Sequence, residues 1–363
     1  MEDRFYDGYY FTEQSVDTIM TVLAKYHPKL DKNKFSKLFN ETQWNNLHIM
    51  KKIRKISLCL HKVLPESFEK TVDILVKAAP EVGWWESVIF PDYIGVYGQD
   101  YWDISMSALT EITKYSSSEF AIRPFLIKEP NKTAAFLEKL ADHENENVRR
   151  FSSEGCRPSH PWGIGLPLFK KDPSFILPIL EKLKNDESEF VRRSVANNLN
   201  AISKDNPDIV LEIAERWFGN TPETDGLVKH ACRTLLKKGN RQAMELFGFG
   251  NTRNLEVTDF KLEKESITLG NRMSFSYSLN VLAEHEIPVR LEFGIHFLKA
   301  NGSFSRKVYK ISEKSHQPGS YRIFKRTNHF IDRSTRKLYR GPHAISIIVN
   351  GEEKKKLEFL LRK

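Results

Sequence analysis

The densest concentration of residues able to do chemistry lies at 149–163, Arg-Arg-Phe-Ser-Ser-Glu-Gly-Cys-Arg-Pro-Ser-His-Pro-Trp-Gly. A helix beginning near Asn145 sets Arg150 and Glu154 four residues apart on one face. Gly155 ends it, and a loop rich in Pro and Gly then presents Trp162. A carboxylate at a helix end, followed by an exposed aromatic, suits a binding site better than a core. His160 and Cys156 raise the question of a metal, but no second His/Cys pair supports one, so both read as structural and no metal or cofactor is expected. The other two cysteines, Cys59 and Cys232, are equally isolated. That excludes a disulfide framework or CxxC site and fits a reducing cytoplasm.

The elements that must position this segment are helical. Over 44–64, Leu47, Met50, Ile53, Ile56, Leu60 and Val63 recur at three- and four-residue steps, opposite Lys51, Lys52, Arg54 and Lys55. Further helices are expected near 14–26, 67–78, 102–115, 132–141, 173–184, 186–203, 207–218 and 227–238, bounded by Pro, Gly, Asn or Asp. Some repeat. Glu146-Asn147-Val148-Arg149-Arg150 returns 43 residues later as Glu189-Phe190-Val191-Arg192-Arg193. A period of roughly 40–47 residues belongs to HEAT and armadillo arrays. Glu119-Phe120-Ala121-Ile122-Arg123 reads as a degenerate third copy. Residues 1–250 are therefore expected to form a HEAT-like solenoid, whose duplicated arginines could make a ladder for phosphates. The competing reading of Arg150 and Arg193 is a set of Glu-to-Arg i,i+4 ion pairs. Asn197 and Asn198 could face the groove, or one of them could only cap or fill.

Beyond Gly248-Phe249-Gly250-Asn251 the texture changes to strict alternation, as in Met273-Ser274-Phe275-Ser276-Tyr277-Ser278-Leu279. About seven short strands separated by Asn-Gly, Pro-Gly and Gly-Pro turns suggest an immunoglobulin-like sandwich at 251–363. Fold class is thus mainly α, with an all-β domain appended. The net charge of +9 is uneven: residues 251–363 hold 22 Lys and Arg against 12 Asp and Glu, while residues 1–250 hold 34 against 35. A basic appendage suggests a polyanionic partner such as nucleic acid, and a solvated basic surface is the plainer alternative. Arg333, Arg336, Lys337 and Arg340 form its densest arginine-containing run. No apolar stretch approaches the ~18 residues of a membrane span, and the acidic, aromatic start Met1-Glu2-Asp3-Arg4-Phe5-Tyr6 is unlike a signal peptide.

The segment at 149–163, with the later Val-Arg-Arg-Ser-Val-Ala-Asn-Asn-Leu-Asn-Ala-Ile-Ser-Lys-Asp-Asn-Pro-Asp run, resembles the DNA alkylation repair family of HEAT-repeat glycosylases. The likeness is to its AlkC branch and covers roughly residues 1–250. The basic β-sandwich matches the subset of that branch with an immunoglobulin-like extension. The resemblance implies excision of 3-methyladenine and 3-methylcytosine from double-stranded alkylated DNA by a monomeric, monofunctional, cofactor-free bacterial enzyme, cytoplasmic and nucleoid-associated. Carried over residue by residue, it implies catalytic roles for Glu154, Trp162 and Glu119 and a phosphate contact for Arg150. Arg193, Asn197, Arg333 and Arg336 are the further candidates for DNA contact, and the appendage is expected to clamp the duplex.

Physical chemistry is consistent with that assignment. An N3-methylated base already carries positive charge and leaves readily. The protein must stabilise that cation and the oxocarbenium-like sugar, which carboxylates do electrostatically. An indole can stack on the cationic nucleotide. The same residues have plainer readings. Glu119 could complete a capping box from Ser116. Glu154 could pair with Arg150, and Trp162 could pack a loop. The cluster Trp84-Trp85, Tyr93, Tyr97, Tyr101-Trp102 reads as inter-helix core, with a nucleobase-facing role open. A DNA-structure-binding HEAT protein without catalysis is the alternative function.

Overall fold

The computed structural model describes residues 12–40, 47–333 and 336–362. The first three residues of the helix expected over 44–64 lie outside that range. Two compact units are present, Met1–Ala231 and Cys232–Lys363.

The first unit is helical. It runs through α1 (Glu13–Tyr26), α2 (Lys32–Asn40), α3 (Ile49–His61), α4 (Phe68–Ala78), α5 (Ile89–Tyr97) and α6 (Trp102–Thr113). It continues with α7 (Arg123–Lys128), α8 (Pro130–Leu140), α9 (Glu146–Gly155), α10 (Pro167–Lys171), α11 (Leu177–Leu183), α12 (Glu189–Ile202), α13 (Pro207–Trp217) and α14 (Pro222–Ala231). Helices α9, α12 and α14 pack side by side, backed by α8, α11 and α13. The repeat supplies the reason. Val148 and Phe151 of α9, and Val191, Val195, Leu199 and Ile202 of α12, are all buried at helical spacing. Each such side chain stabilises by about 1.5–3 kcal/mol on leaving water. Proline opens α8, α13 and α14, where the missing N–H costs nothing.

The repeated Val-Arg-Arg motif explains its own first arginine. Arg149 Nη1 donates to the carbonyls of His143 (3.0 Å) and Glu144 (2.7 Å). Arg192 Nη1 donates to those of Asp186 (2.6 Å) and Glu187 (2.9 Å), the same two positions upstream. Both guanidiniums fold back on the turn that precedes their own helix. Nη1 of each arginine is thereby committed to main-chain carbonyls.

The second unit carries two short helices, α15 (Arg233–Lys238) and α16 (Arg241–Leu246), before its strands. The helix expected over 227–238 is therefore broken between α14 and α15. Gly239 ends α15 in the left-handed region (φ 73°). A side chain there would strike the backbone of Gly351. The strands are β1 (Leu255–Leu262), β2 (Ser266–Thr268), β3 (Arg272–Val281), β4 (Ile287–Leu298), β5 (Phe304–His316), β6 (Tyr321–His329), β7 (Gly341–Val349) and β8 (Glu352–Arg362). They form sheets β1-β3-β6 and β2-β8-β7-β4-β5, antiparallel except where β2 meets β8. The alternation of β3 is realised as written: Met273, Phe275, Tyr277 and Leu279 enter the core against Leu291, Phe293, Ile295 and Ile347. Asn350 and Gly351, both at positive φ, make the tight turn between β7 and β8. Within the described residues no helix is long and apolar enough to cross a membrane.

Candidate functional site

Glu154 sits at the last turn of α9, where Gly155 and Cys156 finish the helix. It is 4% exposed. Its Oε1 accepts from Arg157 Nη1 (2.7 Å) and lies 3.5 Å from His160 Nε2. Its Oε2 accepts from Ser194 Oγ of α12 (2.9 Å). The i,i+4 partner expected from sequence, Arg150, is directed elsewhere.

Arg150 Nη2 donates to Oε1 of Glu119 at 3.0 Å. The site thus holds two ion pairs, Arg150–Glu119 and Arg157–Glu154, which corrects the Arg150–Glu154 reading. Glu119 is no capping-box member either. No helix begins at Ser116, whose hydroxyl donates to the Trp84 carbonyl, and α7 starts only at Arg123. Glu119 instead lies in the turn before α7, its Oε2 accepting a hydrogen bond from the Ser117 hydroxyl. Burial pushes the Glu119 carboxyl up, but Arg150, His160 and Ser117 together outweigh it and hold it down at about 2. Burial works against the Arg150 charge, and Glu119 and Glu154 more than restore it, leaving its pKa raised. Both carboxylates are thus held by donors, and Glu119 is anionic at any neutral pH.

The loop after α9 closes over this pair. The backbone N–H of Trp162 donates to His160 Nδ1 (3.1 Å), which leaves the ring proton on Nε2, facing Glu154. Burial pushes the imidazole below its ordinary 6.5 against the pull of both glutamates, so it is neutral at pH 7. Trp162 is half-buried, its ring 5.8 Å from that of Trp85. Trp84, Trp85, Trp162 and Phe190 border a cleft of 340 Å³ whose polar lining includes Glu119, Arg150, Glu154 and His160. The Arg150 guanidinium lies 4.6 Å above the Phe190 ring. Aromatic walls around two fixed anions suit a planar cation.

The other expectations fall in different places. Cys156 is fully buried, its thiol hydrogen-bonded to the Ser153 carbonyl and pushed up to about 12 by burial. Among the described residues no group of three or more His, Cys, Asp or Glu is placed to hold a metal ion. Asn198 is a buried filler that donates to the Ser153 carbonyl (2.7 Å). Asn197 pairs with His230 (3.0 Å), outside the cleft. Arg193 is exposed and borders a separate groove with Glu189, Glu223 and His230. In the second unit Arg333 is exposed, while Arg336 is half-buried with its guanidinium 3.9 Å over Phe297.

The aromatic cluster divides. Trp84 and Trp85 face the cleft, whereas Tyr97 stacks on His61 (3.8 Å), Tyr101 on Phe68 and Trp102 packs against Phe136. Trp85, Phe190, Arg157 and the cleft-facing role of His160 went unassigned in the sequence. For Phe190 a signal existed: it replaces the polar Asn147 of the first copy at an exposed helical position.

Residues 256–363 match the family described as uncharacterised protein YhaZ, C-terminal Ig-like domain, and residues 176–205 match the HEAT repeat. The YhaZ protein of Bacillus subtilis is 40% identical over 349 residues, 96% of this chain and 97% of that protein. A solved structure of Pseudomonas fluorescens alkylpurine DNA glycosylase AlkC, bound to DNA containing an abasic site analog, superposes with a TM-score of 0.91. It is 34% identical and covers 96% of this chain and 98% of that one. The chain belongs to the AlkC/YhaZ family. The HEAT match spans α11 and α12, the second copy of the repeat, which in this AlkC/YhaZ protein contributes Phe190 to the cleft. The resemblance drawn from residues 149–163 extends over the whole chain, appendage included.

Proposed function

We propose that this protein is a DNA glycosylase that removes cationic N3-methylated bases, 3-methyladenine and 3-methylcytosine, from double-stranded alkylated DNA. The observation that carries the proposal is the pair of buried, donor-held carboxylates, Glu119 and Glu154, in one cleft walled by indoles. Membership of the AlkC/YhaZ family and the basic second unit support it.

In the proposed reaction the N-glycosidic bond breaks with its electron pair leaving on the base, which departs neutral. A water oxygen then bonds to C1′. Glu119, held near 2, is too weak a base to take a proton and acts as a fixed anion beside the cationic sugar and base. The proton from water falls to Glu154. Trp162 and Trp85 stack on the cationic nucleotide, worth ~0.5–2 kcal/mol that a neutral base does not receive. Arg150, bound to Glu119, orients that anion; a phosphate contact would have to be made from the same guanidinium. Arg193, Asn197, Arg333 and Arg336 are proposed DNA contacts outside the cleft, and the charge of residues 251–363 neutralises phosphates. The enzyme acts as a monomer in the cytoplasm on nucleoid DNA.

Chromatography of bases freed from methylated duplex DNA tests the proposal. Release of 3-methyladenine or 3-methylcytosine is expected, and DNA binding with no base released from any lesion would establish the non-catalytic alternative.

A further inference from the structure

Arg123 is 0% exposed, a guanidinium buried completely beneath the cleft. Burial lowers it only to about 10, so it stays charged at neutral pH. Its donors go to the main chain. Nη1 reaches the carbonyls of Gly155 (3.1 Å) and Arg157 (2.8 Å), and Nη2 that of Pro158 (3.4 Å). Nε donates to the carbonyl of Ile164. Those four acceptors lie on both sides of one arch. Gly155, Arg157 and Pro158 lead into it and Ile164 leads out, while His160 and Trp162 stand at its crown. A bond from the Leu166 N–H to the Pro158 carbonyl (3.0 Å) closes the base.

The arch also rests on the arginine stem. A Cβ added at Gly163 would lie 2.5 Å from Arg123 Cδ and 2.9 Å from Nε. The next residue after Trp162 therefore has to be bare for the backbone to seat. The Gly155 carbonyl is one left free at the C-terminus of α9, where a cation is favourable, and Arg157 follows two residues on. A buried charge without such bonds would be very costly. The arginine and the arch thus require each other.

We propose that Arg123 is the positioning residue of the cleft, fixing His160 and Trp162 over the carboxylate pair by gripping the backbone on both sides of their loop. The inference rests on the glycosylase reading, because it assigns Trp162 and His160 a part in base release. Arg123 itself touches no substrate. Five planar donors can reach carbonyls on both flanks at once, which the single ammonium of lysine cannot.

The test uses the full-length chain with Arg123→Lys and Gly163→Ala. The first keeps the buried charge but loses the fork, and the second lifts the arch while leaving the arginine intact. Single-turnover release of 3-methyladenine is measured beside affinity for abasic-site DNA and circular dichroism. A displacement near 1 Å costs on the order of a hundredfold in rate, and that loss is expected for both variants with DNA affinity within about threefold. Acrylamide quenching of Trp162, obtained by difference against Trp162→Phe, is expected to rise in both. If Arg123→Lys does not fold, Gly163→Ala decides alone. Wild-type rate and wild-type quenching in a folded variant would overturn the role of Arg123. Absence of base release from the wild type would instead overturn the glycosylase reading, leaving the quenching change to report on the loop.

Discussion

Helices α9 and α12 are two copies of one repeat, and chemistry is concentrated on the first. Their first arginines, Arg149 and Arg192, do the same thing, each bonding two carbonyls of its preceding turn. Their second arginines part company: Arg150 is drawn into a buried ion pair with Glu119, and Arg193 is left at the surface. One turn on, Glu154 becomes a site carboxylate, while its counterpart Asn197 bonds to His230. The repeat supplies a scaffold, and what precedes and follows each copy decides which positions acquire function. Copy one has Glu119 before it and the arch of 156–166 after it. Copy two lends Ser194 and Phe190 to its neighbour's cleft.

The sharpest way to break this comparison is at its largest contrast. Glu154→Gln is expected to lower single-turnover base release on the order of a thousandfold, with DNA affinity nearly unchanged, because the base that receives the water proton is removed. Asn197→Asp places a carboxylate at the equivalent point of copy two and should leave release within about twofold, since no arch covers it. Normal release by Glu154→Gln would end the assignment of that carboxylate.

The second arginines differ next most. Arg150→Met strands the Glu119 anion in a buried setting, and breaking such a pair from one side costs about 3–5 kcal/mol. Arg193→Met, at an exposed position, should fall within about 0.5 kcal/mol of wild type. Urea unfolding of the two variants measures the gap, and equal midpoints would show that the copies do not differ as described. The same pair predicts acid behaviour. Glu119 is depressed to about 2 from an ordinary value near 4.5. Its contribution to stability is therefore complete above the ordinary value and drains away as pH falls toward 2. Glu119→Gln should flatten the melting temperature over that window.

Activity has its own pH window, set by His160. Its pKa is lowered from the ordinary 6.5, so acidification through that lowered value puts a proton on Nδ1 and removes the acceptor of the Trp162 backbone N–H. Release should be full at neutral pH and fall as pH drops through the lowered histidine value, with its maximum rate affected before DNA affinity. A rate profile that stays flat from neutral pH down to the onset of acid unfolding would detach His160 from the arch.

How much of this was legible follows from range. The 43-residue echo, the Asn145 cap and the β3 alternation are local patterns, and each became the element its spacing implied. Glu154 and Trp162 share one short segment and could be found together. The partners of those residues could not. Arg150 pairs with Glu119 across a repeat, and Ser194 reaches Glu154 from the next one. Helical spacing favoured Arg150–Glu154 because i,i+4 geometry is all that a one-helix argument contains. Trp85 illustrates the same limit: its neighbour Tyr93 belongs to the aromatic packing around His61, and nothing in the shared composition separates the ring that lines the cleft from the ring that does not.

The smallest expected effect sharpens the comparison from the binding side. Arg193 keeps an exposure that Arg150 has largely lost, so the proposed phosphate contact of copy two can be tested apart from that of Arg150. Removing one such contact lowers the slope of log K against log salt by about one and weakens binding evenly across sequences. Arg193→Gln should do this, leaving single-turnover release of bound lesions unchanged. Arg333→Gln, on the exposed loop of the basic unit, should reduce the slope similarly, while Arg336→Gln should do less because its guanidinium is committed to the Phe297 ring. Slopes measured for the three variants would assign the phosphate contacts independently of the chemistry, and an unaltered slope for Arg193→Gln would leave copy two with packing and the loan of Ser194 and Phe190 to the cleft.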